Sequence, residues 1–311
     1  MNRRTLLKSA LATFAGFGLW KPKKLMAREC KPLNGPLRIV VFAADALRID
    51  TAIDLRNEGA PGLSALSHPI CSLAGGGFSV TQPGWASIWS GMPCIFHKAY
   101  HNALYDAMPD DYHIMKKFML KLRGKDFFAG WVTGKGDTIK GNIEKSPHYQ
   151  VYSSIMNGHL GVYHGDTERE NSEVFDLAAT TLGSAVQHEN FCCFIHFRDP
   201  DYIGHQTLRY NLYLDRARQV DFYIATLMSY LPAGTDILYC SDHGFNFVEL
   251  GEVYDSHHYA PRGMLATNFE TEPCGNITRE TVGRLIYTRG GGDPDHCFTK
   301  NHEYAMYGVD I

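Results

Sequence analysis

The stretch Leu37-Arg38-Ile39-Val40-Val41-Phe42-Ala43-Ala44-Asp45 decides the fold. It is a continuous apolar run, rich in β-branched residues, of the length of a strand buried on both faces, and it ends on a carboxylate. Working outward, runs of the same kind recur at 127–132, 191–197 and 237–240, with a shorter one at Gly263–Thr267. Helical patterns lie between them: Val174, Leu177, Ala178, Leu182 and Ala185 follow three-and-four spacing, as do Tyr213, Ala217, Val220, Ile224, Leu227 and Leu231. Strands alternating with amphipathic helices predict an α/β fold, a mostly parallel central sheet with helices on both faces. The stretch from about 135 to 170, rich in Gly, His, Tyr and Asn without a sustained period, is expected to form a small inserted cap region. In such sheets ligands bind beyond the carboxyl ends of the strands, where Asp45, Asp201 and Asp242 fall.

The chain opens Met1-Asn2-Arg3-Arg4-Thr5-Leu6-Leu7-Lys8 and runs through a mildly apolar stretch to Trp20 and a basic Lys21-Pro22-Lys23-Lys24. Residues 1–27 read as an export signal of the twin-arginine type, with periplasmic or exported localisation and the twin-arginine translocase as a transient partner. The apolar run is shorter than the roughly 20 residues that span a bilayer. Residues 28–311, about 280 in all, suffice for one large domain with a cap insertion. The formal charge of −3 provides no basic field for a nucleic-acid backbone, so nucleic-acid binding by bulk charge is excluded; oligomeric state is not encoded in any pattern.

None of the eight cysteines forms a Cys-x-x-Cys pair, so a thiolate zinc site is not indicated. Cys192, Cys193 and Cys240 lie in apolar runs and read as small core residues. In an oxidising compartment, Cys71 with Cys94 and Cys274 with Cys297 are the pairings we expect, although spacing alone does not fix connectivity.

Five segments carry oxygen or imidazole groups at the ends of apolar runs: Asp45, Thr81, Asp201 with His205, Asp242 with His243, and His257. Together they could hold two metal ions around one hydroxyl. Ser241-Asp242-His243-Gly244 offers carboxylate and imidazole, the zinc ligands of choice when thiolates are absent. Alone, it reads first as a structural turn. Asp201 and His205, four apart, share a face if their segment coils; alone, they are a surface loop. Thr81-Gln82-Pro83-Gly84-Trp85-Ala86-Ser87-Ile88-Trp89 reads as a helix start, with Pro83 in its first turn and Thr81 at the amino end, where N–H groups favour an anion. Alone, Thr81 is an N-cap.

Taken together, Asp45-Ala46-Leu47-Arg48, Thr81-Gln82-Pro83-Gly84, Asp201 with His205, and Ser241-Asp242-His243-Gly244 resemble the alkaline phosphatase superfamily, and within it the type I phosphodiesterase/nucleotide pyrophosphatase branch, over roughly residues 37 to 270. The resemblance implies a metal-dependent phosphoric ester hydrolase with two divalent ions, Zn²⁺ by preference, a small phosphate-ester substrate and a covalent phospho-threonine on Thr81. One zinc would be held by Asp45, Thr81, Asp242 and His243, the other by Asp201, His205 and a late histidine, His257 with His258 as the alternative. Asn102, in His97-Lys98-Ala99-Tyr100-His101-Asn102, would bind a non-bridging phosphoryl oxygen; Lys98 stands where the family usually has glycine. Thr at position 81 departs from the sulfatase pattern, whose nucleophile is made from Cys or Ser. Absence of an evident arginine clamp tilts the expectation toward diesters. Related chemistries on the same scaffold, namely phosphomonoester, phosphonate or sulfate hydrolysis and phosphotransfer, are the alternatives, together with a non-catalytic periplasmic metal-binding homologue. Trp85, Tyr105, Tyr202 and the 135–170 stretch are the expected surroundings of the substrate's organic part.

Overall fold

A computed structural model describes residues 35–74, 81–93, 97, 99–101, 104–105, 113–122, 125–135, 155, 161–165, 167–247, 260, 262–271, 274 and 277–292. Each long apolar run becomes a strand: β1 (Arg38–Asp45), β5 (Phe127–Thr133), β7 (Asn190–Pro200), β8 (Asp236–Cys240) and β9 (Gly263–Thr267). Two shorter strands, β2 (Cys71–Leu73) and β6 (Gly161–His164), complete a seven-stranded sheet of order β2-β9-β8-β1-β7-β5-β6. β3 (Ala99–His101) and β4 (Leu104–Tyr105) pair separately. The sheet is parallel from β8 through β1, β7 and β5 to β6, and antiparallel only where β9 joins β8 and β2. Within the stretch expected to be a cap, Gly161–His164 is therefore the outer strand of the main sheet.

Alternate residues of β1 feed two separate cores. Ile39, Val41 and Ala43 pack with Trp85, Trp89, Phe118 and Ile286; Val40, Phe42 and Ala44 pack with Leu55, Leu63, Val174 and Val220. The first face is covered by α3 (Thr81–Ser90), α4 (Ile114–Lys121) and α8 (Arg279–Arg289); the second by α1 (Ile49–Asn57), α2 (Pro61–Ala65), α5 (Asn171–Ala185) and α7 (Tyr210–Met228). Helices thus lie on both faces, as the patterns predict. The buried stripe of α7 is Tyr213, Ala217, Val220, Ile224 and Leu227, with Leu231 beyond its end. Each large apolar side chain so buried contributes roughly 1.5–3 kcal/mol, which fixes the sheet that carries the site.

Cys71 is joined to Cys274, so neither expected pairing forms: Cys71 cannot pair with Cys94, nor Cys274 with Cys297. The physical reason is topological. β2 lies beside β9, and Ala74 bridges Thr278, so the edge strand meets the segment leading into α8. Cys192, Cys193 and Cys240 are free and buried in β7 and β8, as expected of small core residues. Among the described residues no helix is long and apolar enough to cross a membrane.

Candidate metal centre

Four parallel strands deliver side chains to one edge of the sheet. β1 ends on Asp45, which is wholly buried. Its next residue, Ala46, is held in the left-handed region at φ 57, a conformation that costs a non-glycine residue on the order of 1 kcal/mol or more. Two contacts hold the turn: the Ala46 N–H donates to Asp242 Oδ1 at 3.4 Å, and the Tyr213 hydroxyl donates to the Ala46 carbonyl at 2.7 Å.

Thr81 is the first residue of α3, where the helix dipole favours negative charge on its oxygen. Gly84, one turn along, lies against the turn after β8: a methyl group there would sit 2.8 Å from Asp242 Cβ. The missing side chain lets the helix approach closely enough to bring Thr81 Oγ within 3.4 Å of His243 Nε2. His243 and Asp242 follow β8 directly and are buried. The His243 Nδ1 lies 2.9 Å from the Gly244 carbonyl, which only accepts, so Nδ1 carries a proton and donates. Its Nε2 then faces Asp45 Oδ1 at 3.3 Å, Asp242 Oδ2 at 3.3 Å and the Thr81 hydroxyl.

Beyond β7 the chain coils into α6 (Asp201–Thr207), and the expected four-residue spacing puts His205 Nε2 3.4 Å from Asp201 Oδ1. Asp199 sets this helix: one oxygen accepts the Ile203 N–H at 3.1 Å and the other the Asn171 amide at 2.9 Å, fastening α6 to α5.

Two residues that the sequence reading did not select join the cluster. Lys135, two residues past β5, places Nζ 2.8 Å from Asp45 Oδ2, 2.5 Å from Asp201 Oδ2 and 3.1 Å from Thr81 Oγ. His196, inside β7, places Nε2 3.2 Å from Asp45 Oδ2 and Nδ1 2.7 Å from Thr133 Oγ. The available signals were a lysine at a strand end, as Asp45 is, and a histidine interrupting an otherwise apolar run.

Asp45, Asp201 and His243 form a buried group whose ligand atoms lie within 4.8 Å of one another. The donor set fits a divalent ion. Oxygen and imidazole ligands converge, a proton on Nδ1 aims the Nε2 lone pair of a neutral ring at them, and Asp242 Oδ2 accepts no hydrogen bond. Burial and the adjacent Asp45 carboxylate push the Asp242 pKa well above the carboxylate range against the pull of Lys135 and Arg279, a penalty that a cation among these oxygens would relieve. For Asp45 itself burial pulls the pKa up, but Lys135 and His196 leave it lowered.

Of the expected site residues, the structure therefore brings together Asp45, Thr81, Asp201, His205, Asp242 and His243. Asn102, His257 and His258 lie outside the described residues, as does the Tyr105 side chain. Trp85 is a core residue, stacked edge-on against Phe194 and His196, and does not serve as a substrate platform. Tyr202 is partly exposed, with the Arg198 guanidinium 3.8 Å from its ring centre.

Solved structures share this fold at low identity. Alkaline phosphatase from the Antarctic bacterium TAB5 aligns at 9% identity with a TM-score of 0.52, covering 84% of this chain and 100% of that one. Phosphonate monoester hydrolase from Silicibacter pomeroyi aligns at 16% identity and TM-score 0.50, covering 83% and 74%. A putative sulfatase from Bacteroides thetaiotaomicron aligns at 14% and 0.52, covering 83% and 71%. No curated protein sequence matches this chain. The family described as Type I phosphodiesterase / nucleotide pyrophosphatase matches residues 39–283, a span that runs from the start of β1 into α8 and includes every residue of the centre. With the alkaline-phosphatase-like fold and this match over most of its length, the chain belongs to the type I phosphodiesterase/nucleotide pyrophosphatase family.

Proposed function

We propose that the protein is a metal-dependent phosphoric ester hydrolase of phosphodiesterase type that works through a phospho-threonine on Thr81. The observation that carries this reading is the convergence of Thr81 Oγ, His243 Nε2 and the Asp45 and Asp242 carboxylates at the head of α3. Asp45, Asp242 and His243 would hold the ion, with Zn²⁺ favoured by the donor set. When bound, the metal supplies Lewis-acid stabilisation of oxygen charge.

The chain's own residues do the rest. Thr81 Oγ attacks phosphorus in line; the new Oγ–P bond forms as the ester P–O bond breaks, and the leaving oxygen takes the electron pair and, in net balance, the proton given up by Thr81, departing as the alcohol. The α3 amino end favours the charge gathering on the phosphoryl oxygens. Water then attacks the same phosphorus and frees Thr81. Asp199 and Tyr213 keep α6 and the turn after β1 in place during both steps. Diesters are the favoured substrate class on the family likeness, and Arg3-Arg4 supports export of the folded chain to the periplasm.

The test is an acid quench of zinc-loaded protein turning over bis-p-nitrophenyl phosphate, followed by peptide mass spectrometry. Phosphate on Thr81 is expected, with faster turnover of the diester than of p-nitrophenyl phosphate. Hydrolysis without a labelled Thr81 overturns the covalent route; no hydrolysis of any phosphate ester overturns the hydrolase reading. Export that persists after Arg3 and Arg4 are both replaced by Lys would refute the twin-arginine route.

A further inference from the structure

The two oxygens of Asp45 face different partners. Oδ1 looks toward His243, beside Asp242 and Thr81; Oδ2 looks toward Lys135, which also holds Asp201. The lysine's position is built in. The Gly134 N–H donates to the His196 carbonyl at 2.7 Å, the Gly134 carbonyl accepts from the Arg169 N–H at 2.8 Å, and the Lys135 carbonyl accepts from the Thr133 hydroxyl at 2.7 Å. A backbone pinned on successive residues delivers its side chain to a fixed place, as a preorganised site requires.

We propose that Lys135 is the second cation of this centre: its ammonium takes the place beside Asp201 where the family pattern puts a second metal ion, and it binds a non-bridging oxygen of the substrate's phosphoryl group. The proposal rests on the phosphoryl-transfer reading above. Three considerations lead to it. Zinc binds a carboxylate oxygen at about 2.0–2.2 Å, and an ammonium already 2.5 Å from Asp201 Oδ2 both occupies that oxygen and repels a second dication. Charge agrees: the carboxylates of Asp45, Asp201 and Asp242 carry −3, Lys135 returns +1, and one divalent ion brings the sum to zero, whereas two would leave an excess of +2. Access agrees as well. The Lys135 side chain is 21% exposed while that of Asp45 is fully buried, so the lysine is the more accessible member of the pair. It also lies 3.1 Å from Thr81 Oγ, one bond from where phosphorus would be attached.

Native mass spectrometry of the wild-type chain in micromolar zinc, with phosphate titrations of wild type, Lys135→Met, Lys135→Gln and Lys135→Arg, tests this. One zinc per wild-type chain is expected. Inorganic phosphate should bind ~10-fold to ~100-fold more weakly to the Met and Gln variants, and the Arg variant should recover most of the loss. Two zinc ions per wild-type chain would overturn the proposal, as would unchanged phosphate affinity in either neutral variant. The zinc count requires no variant, so it decides the matter even if both neutral substitutions fail to fold. Neither readout needs turnover. A protein with one zinc and lysine-dependent phosphate binding that hydrolyses nothing sinks the hydrolase reading alone, and an active hydrolase with two zincs sinks only the role of Lys135.

Discussion

The Oδ1 and Oδ2 sides of Asp45 are built differently. On the Oδ1 side, Asp242 and His243 are adjacent in sequence, follow one strand and are buried, and a cation bound there would relieve the crowding of the lone pairs they direct at Asp45 and Thr81. On the Oδ2 side the cation is covalent: Lys135 comes from β5, Asp201 from the end of β7, and the lysine is partly exposed. The difference teaches that one carboxylate can divide the labour of such a centre, offering one oxygen to an exchangeable ion and the other to a fixed charge. Substitutions should separate the two sides.

The largest effect belongs to Thr81, which touches both sides. Thr81→Ala should lower kcat by at least ~10³-fold and abolish covalent labelling while zinc content measured by mass spectrometry stays high. Equal loss of zinc would mean that its hydroxyl is chiefly a ligand. Asp242→Ala belongs to the Oδ1 side alone. It should weaken zinc binding by more than the ~100-fold typical of residues one layer behind a ligand, as read by competition with a chromogenic chelator.

An acid limb comes next. His97 is buried beneath α3 with Nε2 3.0 Å from Ser87 Oγ, and burial lowers its pKa to about 4. Since the folded value lies below the unfolded value of 6.5, the unfolded chain binds more protons between them, and stability falls as pH falls from 6.5 to 4. The loss approaches about 3 kcal/mol at the acid end, and His97→Gln should flatten that part of a denaturation-versus-pH curve. The smallest effect is on the Oδ2 side: His196→Gln should weaken phosphate binding by ~10-fold or less and leave the zinc count unchanged. A drop in zinc content there would erase the distinction between the two sides.

Strands buried on both faces were legible because continuous β-branched runs leave few alternatives; β1, β5, β7, β8 and β9 all appear where those runs lie. Three-residue β2 carries no period, and β6 is half-buried at all four positions, so neither could be read. Asp45, Thr81, Asp201, Asp242 and their histidines were legible because each stands at the end of an element. Lys135 stands in such a place too, but a lysine after a strand is an ordinary surface residue until its partners, 54 and 66 residues away, are known. The Cys71–Cys274 bridge was hidden for the same reason, since it joins positions 203 apart through the register of an antiparallel edge.

Helix α3 is positioned at both ends as much by vacant volume as by atoms. Gly84 meets Asp242 on one side, and on the other Gly283 of α8 sits where a methyl group would come within 2.3 Å of the Ile88 carbonyl. Held between two surfaces that admit no β-carbon, the helix has no direction in which to drift. Added bulk at Gly84 would push Thr81 and Asp242 apart, so the line of attack proposed for Thr81 leaves no room for gradual adjustment there. A change of substrate preference would have to be accommodated across the gap, where Lys135, Tyr202 and His205 retain some exposure.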